Sequence, residues 1–230
     1  MPNTTLSTPA RWALGITGAL AALGVLISFI LAAVNAYPPE PPIPAHSMGA
    51  NTDGLAGFLG RIFDTASYFT ELSNVVVAVV LLSIVFGGAR PTRLWRTLRM
   101  DTLVMISVTG LVYALVLGPG AHLRGWEYVS NSLVHYIVPI LTVLTFLIWG
   151  PRGWFRIGTV FSALIIPIVW LVYTFLRGAV IGAYPYGFMN AANMGMGQAL
   201  INCFFVLVLG IILGLIFWGL DRLLSRGRRT

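Results

Sequence analysis

The chain has 230 residues, of which 57% are hydrophobic and only 9% are charged. Soluble domains carry roughly 25% charged residues, so this composition excludes an ordinary soluble domain and indicates an integral membrane protein. All 14 basic residues are arginines and the net charge is +7. Because these arginines lie in short segments between apolar runs and not on one basic face, no nucleic-acid partner is expected. The single cysteine, Cys203, excludes an intrachain disulfide and a cysteine-rich metal site.

A helix crosses a bilayer core with roughly 20 apolar residues. The sequence predicts six such spans, at approximately residues 12–34, 66–86, 102–118, 129–149, 159–177 and 199–220. We therefore predict an all-α protein, a polytopic membrane bundle of six transmembrane helices that forms a single domain over residues 1–230. The first run could instead be a secretory signal. Its apolar stretch is longer than the roughly 7–15 apolar residues of a signal peptide, which favours a retained helix.

The segment between the first two runs contains the sequence YPPEPPIPAHSMGANTDG, which is rich first in proline and then in glycine. Proline-rich chain is stiff and extended, whereas glycine-rich chain is flexible. Residues 37–60 are therefore predicted to form an exposed external loop.

The arginines predict the orientation of the bundle, since cytoplasmic loops collect Arg and Lys. With the N-terminus inside, three arginines face outward, namely Arg61, Arg124 and Arg177. The other eleven face the cytoplasm, and they are Arg11, Arg90, Arg93, Arg96, Arg99, Arg152, Arg156, Arg222, Arg226, Arg228 and Arg229. We therefore predict a multi-pass protein of the cell membrane with both termini in the cytoplasm.

The second predicted span begins with the polar segment YFTELSN, residues 68–74. At 100° per residue, one third of the helix circumference carries a polar stripe made of Ser67, Thr70, Glu71 and Asn74. The opposite side is apolar and consists of Phe69, Leu72, Val76 and Val79. The polar stripe is expected to face protein or a water-filled cavity, and the apolar side is expected to face lipid.

The fourth predicted span has a matching polar face, with i, i+3 and i+4 spacing, made of Tyr128, Asn131, Ser132, His135, Pro139 and Thr142. His135 is the only histidine within a predicted span. Ionisable groups at membrane depth are costly and usually face the protein interior, so His135 is a candidate functional residue. Both spans enter from the outside, and Thr70 and His135 differ in depth by only ~3 Å at 1.5 Å per residue.

Such a pair has a chemical use, because a histidine within hydrogen-bond reach can accept the proton of a threonine hydroxyl as it attacks an ester carbonyl. Supporting groups at similar depth are Asn74, Glu71, Asn131 and Arg177; spacing alone does not say which orients the histidine and which stabilises an oxyanion. Structural interpretations stand beside the catalytic one. Polar residues also join membrane helices, Glu71 could pair with Arg61, Arg124 or Arg177, and Arg177 could extend to the lipid headgroups.

Four segments in this order resemble the androgen-induced-gene family of multi-pass membrane proteins. They are YFTELSN, VTGLVYALVL at 108–117, NSLVHYIVP at 131–139 and YTFLRGAVIGAYPYGF at 173–188. The resemblance covers roughly residues 60 to 222 and implies a bacterial member of the family. Animal members are described as membrane hydrolases of fatty-acid esters of hydroxy fatty acids that use a threonine and a histidine.

The resemblance implies the same two catalytic residues. The Tyr-x-Thr setting of the family matches Tyr68-Phe69-Thr70, and its His-x-x-x-Pro setting matches His135 and Pro139. Glu71, the pair Ser73-Asn74 and the segment Tyr184-Pro185-Tyr186 are departures that look particular to this chain or to its bacterial branch. We include Tyr184 and Tyr186 among the supporting or substrate-binding candidates.

The sequence thus favours a membrane hydrolase of fatty-acyl esters that needs no cofactor and whose substrate is a membrane lipid or another fatty-acyl ester. Haem would need paired histidines and zinc three or four ligands, and only one membrane histidine exists. The main alternative is a non-enzymatic protein that binds or transports lipid through the same polar pocket, and a purely structural membrane protein is a third possibility. The sequence does not predict an oligomeric state.

Overall fold

The computed structural model describes residues 6–38, 45–87 and 92–226, and within these ranges the chain is helical with no β-strand. The ten α-helices are α1 (Thr8–Ala33), α2 (Gly54–Ser67), α3 (Phe69–Val85), α4 (Arg93–Val112), α5 (Glu127–Ser132), α6 (Val138–Trp149), α7 (Ile157–Ser162), α8 (Ile165–Ile181), α9 (Ala191–Met194) and α10 (Met196–Arg226). Residues 39–44 of the predicted loop lie outside the described residues. So do Arg90, Arg228 and Arg229, which contributed to the predicted orientation.

In the described part of the chain, five helical segments are long and apolar enough to cross a bilayer. They are Thr8–Ala33, Arg93–Gly120, Glu127–Trp149, Ile157–Ile181 and Met196–Ser225. Helices α2 and α3 together supply a sixth crossing if their bent pair counts as one span. The predicted all-α membrane bundle is therefore confirmed.

The helices extend beyond the apolar runs from which they were predicted. Helix α1 begins at Thr8 because the Ser7 hydroxyl accepts a hydrogen bond from the backbone N–H of Ala10 at 3.4 Å, and Pro9 occupies the first turn. Helix α4 begins at Arg93, where the Thr92 hydroxyl caps it in the same way. Caps and polar first turns carry no apolar signal, so a search for apolar runs places these helix ends too far inside.

The prediction of an external loop over residues 37–60 is wrong for its last seven residues, because α2 begins at Gly54. Gly57 and Gly60 are sites of close approach: a Cβ on Gly57 would overlap the carbonyl of Thr52, and one on Gly60 would overlap the side chain of Asn51. The absence of a Cβ at these two glycines lets the preceding segment of the chain lie against the helix.

A break at Tyr68 separates α2 from α3. Tyr68 has an extended backbone, with φ −70° and ψ 134°, and the two helix axes differ by 67°. The Tyr68 N–H still bonds to the carbonyl of Thr65 at 3.3 Å, which closes α2. The bend leaves Thr70 in the first turn of a new helix and not in the middle of a continuous one.

Two helices widen into π-helical turns beside each other. One turn, Tyr113–Leu117, follows α4, and the other, Leu133–Ile137, joins α5 to α6. Gly110 makes their approach possible, since a Cβ there would lie 3.1 Å from Pro139 Cβ and 3.3 Å from the His135 carbonyl oxygen. π-Helical turns are rare in proteins, and those that occur are often found at functional sites.

The π turn also corrects the predicted polar face of the fourth span. Pro139 and Thr142, which follow the turn, are buried as predicted, whereas Tyr128 and Ser132, which precede it, are exposed. Ser130 is buried in their place and its hydroxyl lies 2.7 Å from that of Ser28 on α1. A wider turn changes the angle between residues on either side of it, so one 100° periodicity cannot describe both halves.

Helix α4 is the centre of the bundle, and every residue from Arg99 to Thr109 is buried. One apolar cluster joins α4 to α6, α7 and α10, and a second joins it to α1, α3 and α6. At the end of the bundle that carries the arginines, buried Asp221 of α10 accepts hydrogen bonds from the backbone N–H groups of Gly153 and Phe155, each at 2.9 Å. These bonds tie α10 to the connection between α6 and α7.

Candidate functional site

The side chains of Thr70 and His135 meet at the end of the bundle opposite to Asp221. Thr70 Oγ1 lies 3.1 Å from His135 Nε2. Thr70 is 7% exposed, so this contact is largely shielded from bulk solvent. The structure thus brings together the two residues, 65 positions apart, that the sequence singled out.

Two polar residues one turn further along α3 hold Thr70 in place. The Ser73 hydroxyl donates to the carbonyl of Thr70 at 2.9 Å and lies 2.8 Å from the hydroxyl of Thr109 on α4. Asn74 Nδ2 donates to the Thr70 carbonyl at 2.9 Å and to the Val134 carbonyl at 3.2 Å. Asn74 therefore links α3 to the π turn that carries the histidine. Both of its amide hydrogens are engaged, which leaves none for an oxyanion.

His135 is oriented chiefly by an aromatic neighbour. The ring of Tyr113 stacks on the imidazole with centroids 3.8 Å apart and an interplanar angle of 21°. Nδ1 faces the backbone of Asn131, four residues earlier, but forms no hydrogen bond of ordinary geometry within the described residues. Tyr113 is not among the predicted site residues, although it lies in one of the four segments of the resemblance. A π turn that aligns the two rings has no simple signal in the sequence.

Tyr186 completes the group around the hydroxyl of Thr70. Its phenol oxygen accepts from the Thr70 N–H at 3.3 Å and lies 3.4 Å from Thr70 Oγ1. Phe188 stacks on the Tyr186 ring with centroids 5.5 Å apart, and Tyr68 packs against it at 5.6 Å. Desolvation raises the pKa of Tyr186 to about 12, so its phenol remains a hydrogen-bond donor.

Two cavities meet at Thr70 and Tyr186. The larger, of about 480 Å³, has a polar lining that includes Glu71, Asn131 and His135. The smaller, of about 60 Å³, is a narrow apolar cleft between α4, α8 and α10. The hydroxyl of Thr70 therefore stands at a boundary between a polar and an apolar space.

Phe69 was predicted to face lipid, but it lines the apolar cleft instead. Its ring lies 4.9 Å from that of Trp170, and both residues line the cleft. The indole N–H of Trp170 donates to the carbonyl of Ser67 at 2.9 Å, which fixes α8 against the end of α2. The bend at Tyr68 explains the difference, because it directs the first turn of α3 toward α8.

Glu71 and Asn131 both line the polar cavity, as expected of supporting residues. Glu71 is 7% exposed, one side of its carboxyl faces Ser28, and its Oε2 has no hydrogen-bond partner among the described residues. None of the ion pairs found in that part of the chain joins Glu71 to Arg61, Arg124 or Arg177, although the sequence allowed each of these partners.

Arg177 and Tyr184, which the sequence placed among the supporting residues, lie away from the hydroxyl of Thr70. Arg177 Nη2 is 2.6 Å from Asp64 Oδ1, and Nη1 contacts the sulfur of Met48 at 3.2 Å. Asp64, which lies just before the bend and also lines the polar cavity, is the counterion of Arg177. Tyr184 exchanges backbone hydrogen bonds with residues 46 and 48 and packs over Gly178. Both residues fasten the segment that follows residue 44 to α8.

No protein-family model, no curated protein and no solved structure matches this chain. The Thr70 hydroxyl lies 3.1 Å from an imidazole nitrogen of His135, and the Tyr186 phenol contacts both this hydroxyl and the backbone N–H of Thr70. An alcohol, an imidazole and a phenol are the residue types that acyl transfer uses as nucleophile, base and hydrogen-bond donor.

Proposed function

We propose that the protein is a membrane hydrolase of fatty-acyl esters in which Thr70 is the nucleophile and His135 is the general base. The observation that carries the proposal is the distance of 3.1 Å between Thr70 Oγ1 and His135 Nε2. A candidate base has to lie within about 2.6–3.2 Å of the proton it removes. The resemblance to the androgen-induced-gene family agrees with this assignment.

The reaction begins when Thr70 Oγ1 bonds to the ester carbonyl carbon as His135 Nε2 takes the hydroxyl proton. The carbonyl oxygen becomes an oxyanion, and the Tyr186 phenol, 3.4 Å from Oγ1, is the donor placed to stabilise it. Collapse of this intermediate breaks the bond to the leaving alcohol, which receives the proton from His135. Water then attacks the acyl-threonine, His135 removes its proton and returns it to Thr70, and the fatty acid leaves.

The apolar and polar linings of the two cavities match the two parts of such a substrate. The acyl chain enters the apolar cleft, and the alcohol part occupies the polar cavity of about 480 Å³. A lipid ester presents this same division, with its carbonyl at the boundary where Thr70 lies. We place the site near the outer surface of the cell membrane, with the arginine-bearing end of the bundle and both termini in the cytoplasm.

The test is hydrolysis of a p-nitrophenyl ester of medium chain length by the purified protein in detergent. Thr70→Ala and His135→Ala are each expected to lower kcat by about a thousandfold or more. Matched controls are Thr174→Ala, a buried threonine on α8, and His122→Ala, an exposed histidine, which should retain activity. Activity that survives in Thr70→Ala or His135→Ala would refute the assignment.

A non-enzymatic lipid-binding or transport protein is the second candidate, and one observation favours it. Among the described residues no carboxylate orients Nδ1 of His135, whereas most nucleophile and base pairs have a third group in that position. A fluorophosphonate probe distinguishes the two candidates. Labelling of the wild type that is lost in Thr70→Ala supports the enzyme, and a protein that retains labelled lipid without reacting supports the binding function.

A further inference from the structure

Glu71 is the one carboxyl of the polar cavity that has no cation beside it in the described ranges. Asp64 pairs with Arg177 at 2.6 Å, and Glu127 lies 4.0 Å from Arg124. Glu71 follows Thr70 directly in the first turn of α3, and its buried Oε2 has no hydrogen-bond partner in the same part of the chain. A buried acceptor without a donor is costly, so it marks a position that a ligand can satisfy.

Among the described residues, Arg61 is the cation that lines the cavity. Arg61 lies on α2, before the bend, and its Nε donates to the carbonyl of Ala32 at 2.8 Å. An anionic group beside Thr70 would be repelled by Glu71, and a cationic group that fills the cavity would be repelled by Arg61. A neutral group that both donates and accepts hydrogen bonds suits the two residues together.

We propose that Glu71 selects esters whose alcohol part is a neutral polyol, such as an acylglycerol, with a hydroxyl that donates to the Glu71 carboxyl beside the scissile bond. The inference rests on the proposed function and adds its substrate class. It also separates this chain from hydrolases whose substrates carry a free carboxylate on the alcohol part. Glu71 is in this account a specificity residue and not a participant in bond breaking.

The test uses four esters of one acyl chain that differ only in the alcohol part. They are 1-monodecanoylglycerol, ethyl decanoate, decanoyloxyacetate and decanoylcholine, and kcat/KM is measured for each with the full-length protein. A hydrogen bond to a charged group changes selectivity by about tenfold to a hundredfold. The wild type is expected to prefer the glycerol ester to the other three by about this factor.

The esters are compared at about pH 8.5, so that the Glu71 carboxyl is ionised. In Glu71→Gln the ratio of kcat/KM for the glycerol ester to that for decanoyloxyacetate is expected to fall by about tenfold, because the charge that repels the carboxylate is gone. A ratio of two substrates is insensitive to a general loss of active protein. Glu127→Gln, which changes another carboxylate of the same cavity, is the matched control and should leave the ratio within about twofold.

The outcomes separate the two proposals. If the wild type cleaves ethyl decanoate through Thr70 but shows no preference for glycerol, or prefers decanoylcholine or decanoyloxyacetate, the inference about Glu71 is overturned and the proposed function stands. If none of the four esters is cleaved, the proposed function fails and the inference fails with it. Should Glu71→Gln not fold, the wild-type ratios and those of Glu71→Asp decide the question.

Discussion

Two buried polar clusters, one toward each end of the bundle, differ in how their groups are paired. At one end, Asp221 is fully buried and its two carboxylate oxygens accept from two backbone N–H groups at 2.9 Å. At the other end, Thr70, Tyr186 and Glu71 border a cavity of about 480 Å³. The first cluster is closed and complete, and the second is open and incomplete.

The difference indicates that a buried polar group within the membrane marks a functional site only when it lies beside a cavity. The bonds of Asp221 satisfy the backbone where the chain turns between α6 and α7, which is a structural requirement. Glu71 and Thr70 line a volume that a ligand can enter. If this distinction holds, substitutions in the closed cluster should change stability, and those in the open cluster should change turnover.

Asp221→Asn should give the largest effect on stability. The amide offers one acceptor and one donor to two N–H groups, so one N–H is left unpaired, and the free energy of unfolding should fall by about 1–3 kcal/mol. Thermal unfolding in detergent measures the loss, and kcat of the folded fraction should be unchanged. Asp53→Asn, at an exposed carboxylate without a side-chain cap bond, is the control. A large loss of kcat at full stability would contradict the distinction.

Tyr186→Phe should lower turnover as well as stability. Loss of the phenol that lies 3.4 Å from Thr70 Oγ1 removes the proposed oxyanion donor, and kcat should fall by about a hundredfold. The Thr70 N–H loses its acceptor, so the free energy of unfolding should fall by about 1–3 kcal/mol, while the ring still packs on Phe188. Tyr184→Phe removes a hydroxyl only two residues away that does not reach Thr70, so its kcat should match the wild type. Equal activity of the two variants would exclude Tyr186 from the reaction.

Gly210→Leu tests whether the apolar cleft receives the acyl chain. A Cβ on Gly210 would lie 3.6 Å from Val104 and 3.9 Å from Leu164, so alanine fits there and leucine fills the cleft. The ratio of kcat/KM for decanoyl esters to that for acetyl esters should fall by about tenfold. Gly219→Leu, on the same helix but with no neighbour within 4 Å, is the control. An unchanged ratio would place the acyl chain elsewhere.

The smallest expected effect concerns alkaline pH. Tyrosine ordinarily has a pKa of about 10, and desolvation raises that of Tyr186 to about 12. A raised pKa keeps the neutral, donating form to higher pH, so kcat should not fall between about pH 8 and pH 10. A wild-type decline with an apparent pKa near the ordinary value, absent in Tyr186→Phe, would show that the phenol is not desolvated.

The sequence was sufficient to predict the membrane-spanning segments and the proximity of Thr70 to His135. Apolar length predicts crossings, and two polar stripes at similar depth predict a common interior. Asn74 and Tyr186 also lie where supporting residues were expected. This prediction depends on local helical periodicity. It is correct for these residues because both polar stripes are short and lie close to helix ends.

The sequence was insufficient wherever backbone geometry departs from a straight α-helix. The bend at Tyr68 turns Phe69 from lipid toward Trp170, and the π turn before α6 exposes Tyr128. Arg177 was assigned to the site because only its depth was known, whereas its nearest carboxylate is that of Asp64. Pairing of charges and the phase of irregular helices depend on tertiary contacts that one sequence does not display.

The junction of the two cavities at Thr70 has a consequence for the fate of the products. In the proposed reaction, the fatty acid is released into the apolar cleft and the alcohol into the polar cavity, so the two products depart by separate routes. One partitions into the bilayer and the other into water. Accumulation of fatty acid in the surrounding membrane would then slow turnover, whereas added alcohol in the medium would compete only at the opposite entrance.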